Sequence, residues 1–444
     1  MSSKVLDRRE STTPDCSSRF GERTVQPLSE DRAVGRWDPD DDAAARSSSW
    51  TKRRPIHLCI ISPLGYGLFR PDSRSPFGGA EAQAFLLAQE LSRDSSFRIT
   101  VLTTVDDDPG EERYGRITLV KRRARNRAVA ALPSGLLNKL SVLGGYSAAY
   151  QEMRATLQGI DADLYVHAGC GPEVGAYALI CRHLGRRFVS VVASSSDLDR
   201  PTGTASGALR WLYPLGLKLA HAIVCRTKDQ QDLLLSRYGR PGILIRTGYP
   251  IPRIDPVESA GGRAEVLWVG RVHPVKRPGR FIDLAEQCPD LRFILVGMTD
   301  STQRDLAETV RARITSVSNL TYVEDVPWRQ CQVWFRGSRI LVNTSEYEGF
   351  PNTFVQAALS GIPIVSLSVD PDLVLSRQEL GACAGGAFEQ LVTLVRTYCD
   401  DAVLRREAGR RARAFAVQYH NVQWAAEQFK DLARRLTSPV AETA

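Results

Sequence analysis

The 444-residue chain has no apolar run long enough to cross a bilayer, and its N-terminus lacks the apolar core of a signal peptide. A cytoplasmic protein is expected on that ground. The nine cysteines are scattered, odd in number and include no Cys-x-x-Cys pair. Most sit in apolar strand or helix patterns, so they read as buried free thiols in a reducing compartment rather than a disulfide framework. No stretch interleaves aromatic and basic residues as a nucleic-acid stacking surface does, so no nucleic-acid partner is expected. Residues 1–52 are rich in Ser, Asp, Arg and Thr, have little hydrophobic periodicity, and read as a disordered N-terminal tail.

The whole chain is 43% hydrophobic and 24% charged, ordinary values for a soluble globular protein, and its length suits two domains. A net charge of +8 points to anionic partners, which are nucleotide phosphates, an acidic membrane face or nucleic acid, the last set aside above for want of a stacking surface. Apolar strands such as Ile56–Ser62, Phe97–Thr103, Leu164–Ala168 and Phe188–Ala193 alternate with helical spacings. That alternation predicts a parallel sheet covered on both faces. Pro250, Pro252 and Pro256 then break any regular element, which places a linker at 248–262. The alternation restarts at Val266–Val269. The expected organisation is a first Rossmann-like domain over 53–247, a second over 263–418, and a terminal helix and tail over 419–444.

Three stretches carry candidate chemistry. Gly78 and Gly79 end the loop after the first strand and precede a helix, the geometry that backs a phosphate with bare backbone N–H groups; a plain turn is the alternative. Arg271 and Lys276 follow the first strand of the second half, in Trp268-Val-Gly-Arg-Val-His-Pro-Val-Lys-Arg-Pro278. The third is Glu346-Tyr-Glu-Gly-Phe-Pro-Asn-Thr-Phe-Val-Gln-Ala-Ala-Leu-Ser-Gly361, between two apolar strands. Pro351 fits the first helical position there, leaving the N–H groups of Gly349, Phe350 and Asn352 to point out of a helix start.

The last two stretches together resemble the second domain of retaining glycosyltransferases of family 4, in the GT-B class. The resemblance covers roughly residues 55–435 and is strongest over 265–370. It implies an α/β GT-B fold, two Rossmann-like parallel-sheet domains facing across a cleft, with the terminal helix crossing back to the first. It also implies a nucleoside-diphosphate-sugar donor bound by the second domain and a saccharide or lipid-linked acceptor entering from the first. Arg271 and Lys276 then neutralise the leaving diphosphate, with Gly78 and Gly79 close by. Lys276 is chosen over its neighbour Arg277 by its place in the family pattern. Glu348 faces the transferred hexose, while Gly349, Phe350, Pro351, Asn352 and Val326 line the substrate site.

The family motif is Glu–seven residues–Glu, and here it reads Glu348–seven residues–Gln356. The second acid normally holds the ribose hydroxyls; an amide accepts through one oxygen and donates through its nitrogen. Because of Gln356, a catalytically silent nucleotide-sugar or glycan-binding protein stands as the alternative, beside a sugar-nucleotide epimerase. No Asp-x-Asp pair is framed as a metal–diphosphate clamp, so no metal and no cofactor is expected. His167 ends a strand of the first domain, where the carboxyl-end rule turns it to the cleft; a satisfied core histidine is the plainer account. Asp197 reads as a loop or helix-cap residue.

A basic run, Lys121 to Arg127, precedes a helical stretch bearing Leu136, Leu140, Leu143, Tyr150, Met153 and Leu157. This pattern raises peripheral contact with an anionic membrane, against the alternative that the stripe packs on the sheet.

Overall fold

In a computed structural model the described residues are 54–70, 77–124, 136–199, 209, 211–252, 266–299 and 302–438, with side chains at 136–146 left out. The expected tail at 1–52 and most of the expected linker lie outside them.

The first half is built on an eight-stranded sheet. Its strands are β1 (Ile56–Ile61), β2 (Phe97–Val105), β3 (Gly110–Tyr114), β4 (Ile117–Arg123), β5 (Leu164–Ala168), β6 (Arg187–Val191), β7 (Ala222–Cys225) and β8 (Ile243–Leu244). They lie in the order β3-β4-β2-β1-β5-β6-β7-β8, all parallel except the β3–β4 hairpin. The second half carries β9 (Val266–Val272), β10 (Phe293–Thr299), β11 (Leu320–Glu324), β12 (Ile340–Asn343), β13 (Ile364–Ser366) and β14 (Gly381–Cys383). Their order, β11-β10-β9-β12-β13-β14, is parallel throughout. Both sheets reverse direction beside their first strand: from β1 the chain goes first to β2 and later to β5, and from β9 first to β10 and later to β12. Ligands in such sheets lie at the carboxyl ends of the strands flanking that reversal. The two reversal points therefore mark one place on each half.

One apolar cluster runs through both halves, taking Leu58, Ile60 and Leu87 from the first, Leu267 and Phe354 from the second, and Phe429 from the terminal helix Val422–Thr437. That helix packs on the first half. Tyr249 N–H donates to the His420 carbonyl at 2.8 Å, Val422 N–H donates to the Tyr249 carbonyl at 3.0 Å, and Lys430 reaches Asp94 at 3.2 Å. The eight described cysteines are all free. Among the described residues no helix is long and apolar enough to cross a membrane.

Lys121 and Arg122 of the basic run and the described part of its apolar stripe face inward, while Arg123 is exposed. Lys121 is buried and pairs with Asp108 at 2.8 Å and Glu112 at 3.3 Å. Arg122 pairs with Glu152, while Tyr150, Met153 and Leu157 pack on the cluster behind the first sheet. These five residues are not available to a membrane, because burying the stripe on the sheet is the nearer solution for an amphipathic helix. Residues 125–135 and the side chains of Leu136, Leu140 and Leu143 lie outside the described residues.

Candidate active site

A cavity of about 370 Å³ opens between the two reversal points and is lined from both halves. The helix Gly79–Leu91 presents Gly78 to Gln83, and the helix Asn352–Leu359 presents Gly349 to Thr353 with Gln356. Arg271, Lys276, Glu348 and Val326 complete the expected set.

Pro351 is the cap of its helix and Asn352 the first helical residue, a shift of one from the sequence expectation. The ψ of Pro351, 130°, is extended, so the chain enters the helix one residue later. The N–H groups of Gly349, Phe350, Asn352 and Thr353 have no backbone acceptor among the described residues. At the other helix start the Gly78 N–H donates to the Glu81 carboxylate at 2.8 Å. Asn352 joins the two starts. Its Nδ2 donates to the Gly79 carbonyl at 2.9 Å, and its Oδ1 accepts from Gln83 Nε2 at 3.1 Å. Gln83 in turn accepts the Gly248 N–H at 2.9 Å.

Lys276 sits in the short turn Pro274–Lys276 after β9. Arg277 follows it in the left-handed region, φ 48°, a conformation that costs a side-chain-bearing residue about 1–2 kcal/mol. Hydrogen bonds offset that cost. Arg277 donates to the carbonyls of Thr344 (2.9 Å) and Ser345 (3.1 Å) and to Ser368 Oγ (2.9 Å). Thr344 Oγ1 accepts from the buried Trp268 indole at 2.9 Å and donates to the Lys276 carbonyl at 2.7 Å. Arg277 is thus occupied in the turn while Lys276 lines the cavity. Lys276 Nζ forms an ion pair with Glu348, which also accepts from Ser345 Oγ at 2.8 Å.

His167 departs from expectation. Its ring is buried, bonded through Nδ1 to the Ile61 carbonyl at 2.9 Å, and packed edge-on against Tyr177 at 4.9 Å. Successive side chains of a strand point to opposite faces. Leu164 and Val166 of β5 join the cluster shared with the second half, whereas Tyr165 joins the cluster behind the sheet, and His167 follows Tyr165. Ala168, not His167, reaches the cavity wall. Asp197 is a loop cap, accepting the N–H groups of Ala193 (3.1 Å) and Ser194 (2.8 Å); burial pushes its carboxyl up.

Sequence reasoning passed over Trp268, Tyr249, Trp328 and Arg226, all in the cavity wall. For Arg226 a signal existed, since it directly follows β7 at the carboxyl end of the first sheet.

Residues 263–401 match the glycosyl transferases group 1 family. The chain is 24% identical over 165 residues to the D-inositol 3-phosphate glycosyltransferase of Mycobacteroides abscessus, covering 34% of this chain and 37% of that protein. It is 25% identical over 272 residues to the GDP-mannose-dependent alpha-mannosyltransferase of Mycolicibacterium smegmatis, covering 58% of this chain and 68% of that protein. In fold it is similar to sucrose-phosphate synthase from Thermosynechococcus elongatus, with a TM-score of 0.66 and 17% identity over 86% of this chain and 99% of the other. It is also similar to Anabaena HepE in complex with UDP and glucose, with a TM-score of 0.60 and 17% identity over 85% and 99%. Two parallel sheets meeting at their reversal points give the chain a GT-B fold, and residues 263–401 carry a glycosyl transferases group 1 domain.

Proposed function

We propose that the protein is a retaining glycosyltransferase of the family 4 type. It moves a hexose-type sugar from a nucleoside-diphosphate sugar to a saccharide or lipid-linked saccharide, without a divalent metal. The carrying observation is that Arg271, Lys276 and two helix starts line one cavity together with Glu348. Departure of the diphosphate develops negative charge on its oxygens, and fixed donors aimed there stabilise that change. Arg271 supplies a planar fork and Lys276 a mobile point charge. The arriving diphosphate draws Lys276 from Glu348, whose freed carboxylate then accepts hydroxyls of the hexose. The acceptor oxygen bonds to the anomeric carbon as the carbon–oxygen bond to phosphate breaks. The acceptor proton passes to the departing phosphate oxygen, since of the two carboxylates of the wall Glu81 holds the Gly78 N–H and Glu348 is taken up by the hexose hydroxyls. A UDP-bound relative in fold, HepE, supports a donor of this class. A cytoplasmic location belongs to the same reading and rests on the unpaired cysteines.

Gln356, buried in the cavity wall, favours the second reading of a silent nucleotide-sugar binder. Incubation with a panel of nucleotide sugars, with and without saccharide acceptors and chelator, separates the two. Acceptor-dependent release of nucleoside diphosphate in chelator, with the product keeping the donor's anomeric configuration by NMR, is the expected result. Binding without release from any donor would leave the silent binder, and restoration of chelator-treated enzyme only by magnesium or manganese would defeat metal independence.

A further inference from the structure

The donor chemistry above makes no use of Arg226. Its side chain is 9% exposed, yet it lines the main cavity from the first half, beside Ala168, Val191 and Ser194. Nη1 donates to the Ile245 carbonyl at 3.0 Å, the backbone N–H donates to Gln230 Oε1 at 2.7 Å, and the Phe429 ring lies 6.0 Å from Cζ. These contacts aim the guanidinium and satisfy one of its five N–H groups. Arg226 forms no ion pair with any described carboxylate. Arg246, near the end of the same sheet, pairs with Asp372 at 3.0 Å. Glu81, which shares the cavity wall with Arg226, is turned to the Gly78 N–H.

A buried charge without a partner is costly, and the usual remedies are an opposite charge or loss of the proton. Loss of the proton does not occur near neutrality, because burial lowers the Arg226 pKa only to about 10. The remaining remedy is an anion supplied through the cavity that the guanidinium faces. The donor diphosphate already meets Arg271, Lys276 and two helix starts. We propose that Arg226 receives a second anion, a phosphate or carboxylate carried by the acceptor, and so restricts the enzyme to anionic acceptors. This rests on the glycosyltransferase reading and names its acceptor class.

The test uses the full chain as wild type, Arg226→Lys, Arg226→Gln and Arg226→Met. Each is titrated with UDP and GDP, then saturated with the tighter nucleotide and melted with rising inorganic phosphate, hexose 6-phosphate, glucuronate or unmodified hexose at constant ionic strength. The variants should bind nucleotide within about twofold of wild type. Phosphate or hexose phosphate, glucuronate, or both should raise the melting point of nucleotide-bound wild type and Arg226→Lys by about 2–5 °C, and that of Arg226→Gln and Arg226→Met by none. Response to hexose phosphate alone identifies a phosphorylated acceptor, and response to glucuronate alone a carboxylated one. A nucleotide-bound wild type indifferent to every anion overturns the inference, as does a Gln or Met variant that responds in full. A tenfold loss of nucleotide affinity in either folded variant assigns Arg226 to the donor and overturns it as well. The wild-type arm decides even if a variant does not fold. Wild type that binds no nucleotide removes the glycosyltransferase reading, and this inference with it, whereas nucleotide binding without an anion response removes this inference alone.

Discussion

A missing methyl group decides how the loop at Gly349 fits. A Cβ there would stand 2.5 Å from the Ala193 carbonyl oxygen and 2.9 Å from Gln230 Nε2. The neighbouring loop cannot retreat freely, since Ser195 N–H donates to the Glu348 carbonyl at 3.2 Å. Gly349→Ala is expected to destabilise the protein by about 1–3 kcal/mol, the usual cost of overpacking. A denaturant midpoint equal to wild type would show that the loop yields. At Arg271 and Lys276 the expected loss is in catalysis. Each charge-assisted contact is worth about 1.5–3 kcal/mol, or about 10- to 150-fold, so the folded Arg271→Ala/Lys276→Ala enzyme should turn over donor several orders of magnitude more slowly. Near-normal turnover would remove both residues from the diphosphate site.

Among the elements, the joint between the helices Ala402–Tyr419 and Val422–Thr437 is sensitive to acid. His420 stands there fully buried. Its Nδ1 bonds to the Thr247 carbonyl at 2.7 Å, its Nε2 has no partner, and its ring lies 4.2 Å from Phe350 of the site loop. Burial holds its pKa down from 6.5 to about 3. Above pH 6.5 the ring is neutral in both folded and unfolded chains and costs nothing. As pH falls from 6.5 towards 3 the unfolded chain takes up a proton that the folded one refuses, so stability drops by up to about 1.4 kcal/mol per unit. His57, brought down to about 4 chiefly by burial, adds to the same slope. Urea midpoints at pH 8, 6.5 and 5 should fall only over the last interval, and His420→Asn should shrink that fall. A variant as acid-sensitive as wild type would acquit His420.

For the molecule as a whole, the chain Gly79–Asn352–Gln83–Gly248 ties the two helix starts and the interdomain segment into one closed arrangement. Asn352→Ala and Gln83→Ala should each cost about 1 kcal/mol or more, and together less than their sum, because they share a bond. The same variants should show a larger radius of gyration by solution scattering. Strictly additive costs with unchanged scattering would mean that the apolar cluster alone holds the halves together.

The alternation of apolar strands with helices and the loops that carry Arg271, Lys276 and Glu348 were legible in the chain itself. Each depends on the period and on turn residues a few positions apart, which is local information. Lys276 lines the cavity and Arg277 is held in the turn, whereas the preference for Lys276 came from a resemblance and not from spacing. Tertiary structure decided the rest. The face that His167 takes depends on which side of β5 meets the second half, and Tyr150, Met153 and Leu157 could be seen to serve the core only once the sheet behind them was in place. That the Asn352 side chain also joins the two helix starts shows only when Gln83, 269 positions away, is brought beside it. Arg226 carries only its place after a strand; its meaning lies in the absence of an ion pair with any described carboxylate once it is buried. Such facts depend on contacts between residues far apart in the chain, which no local pattern encodes.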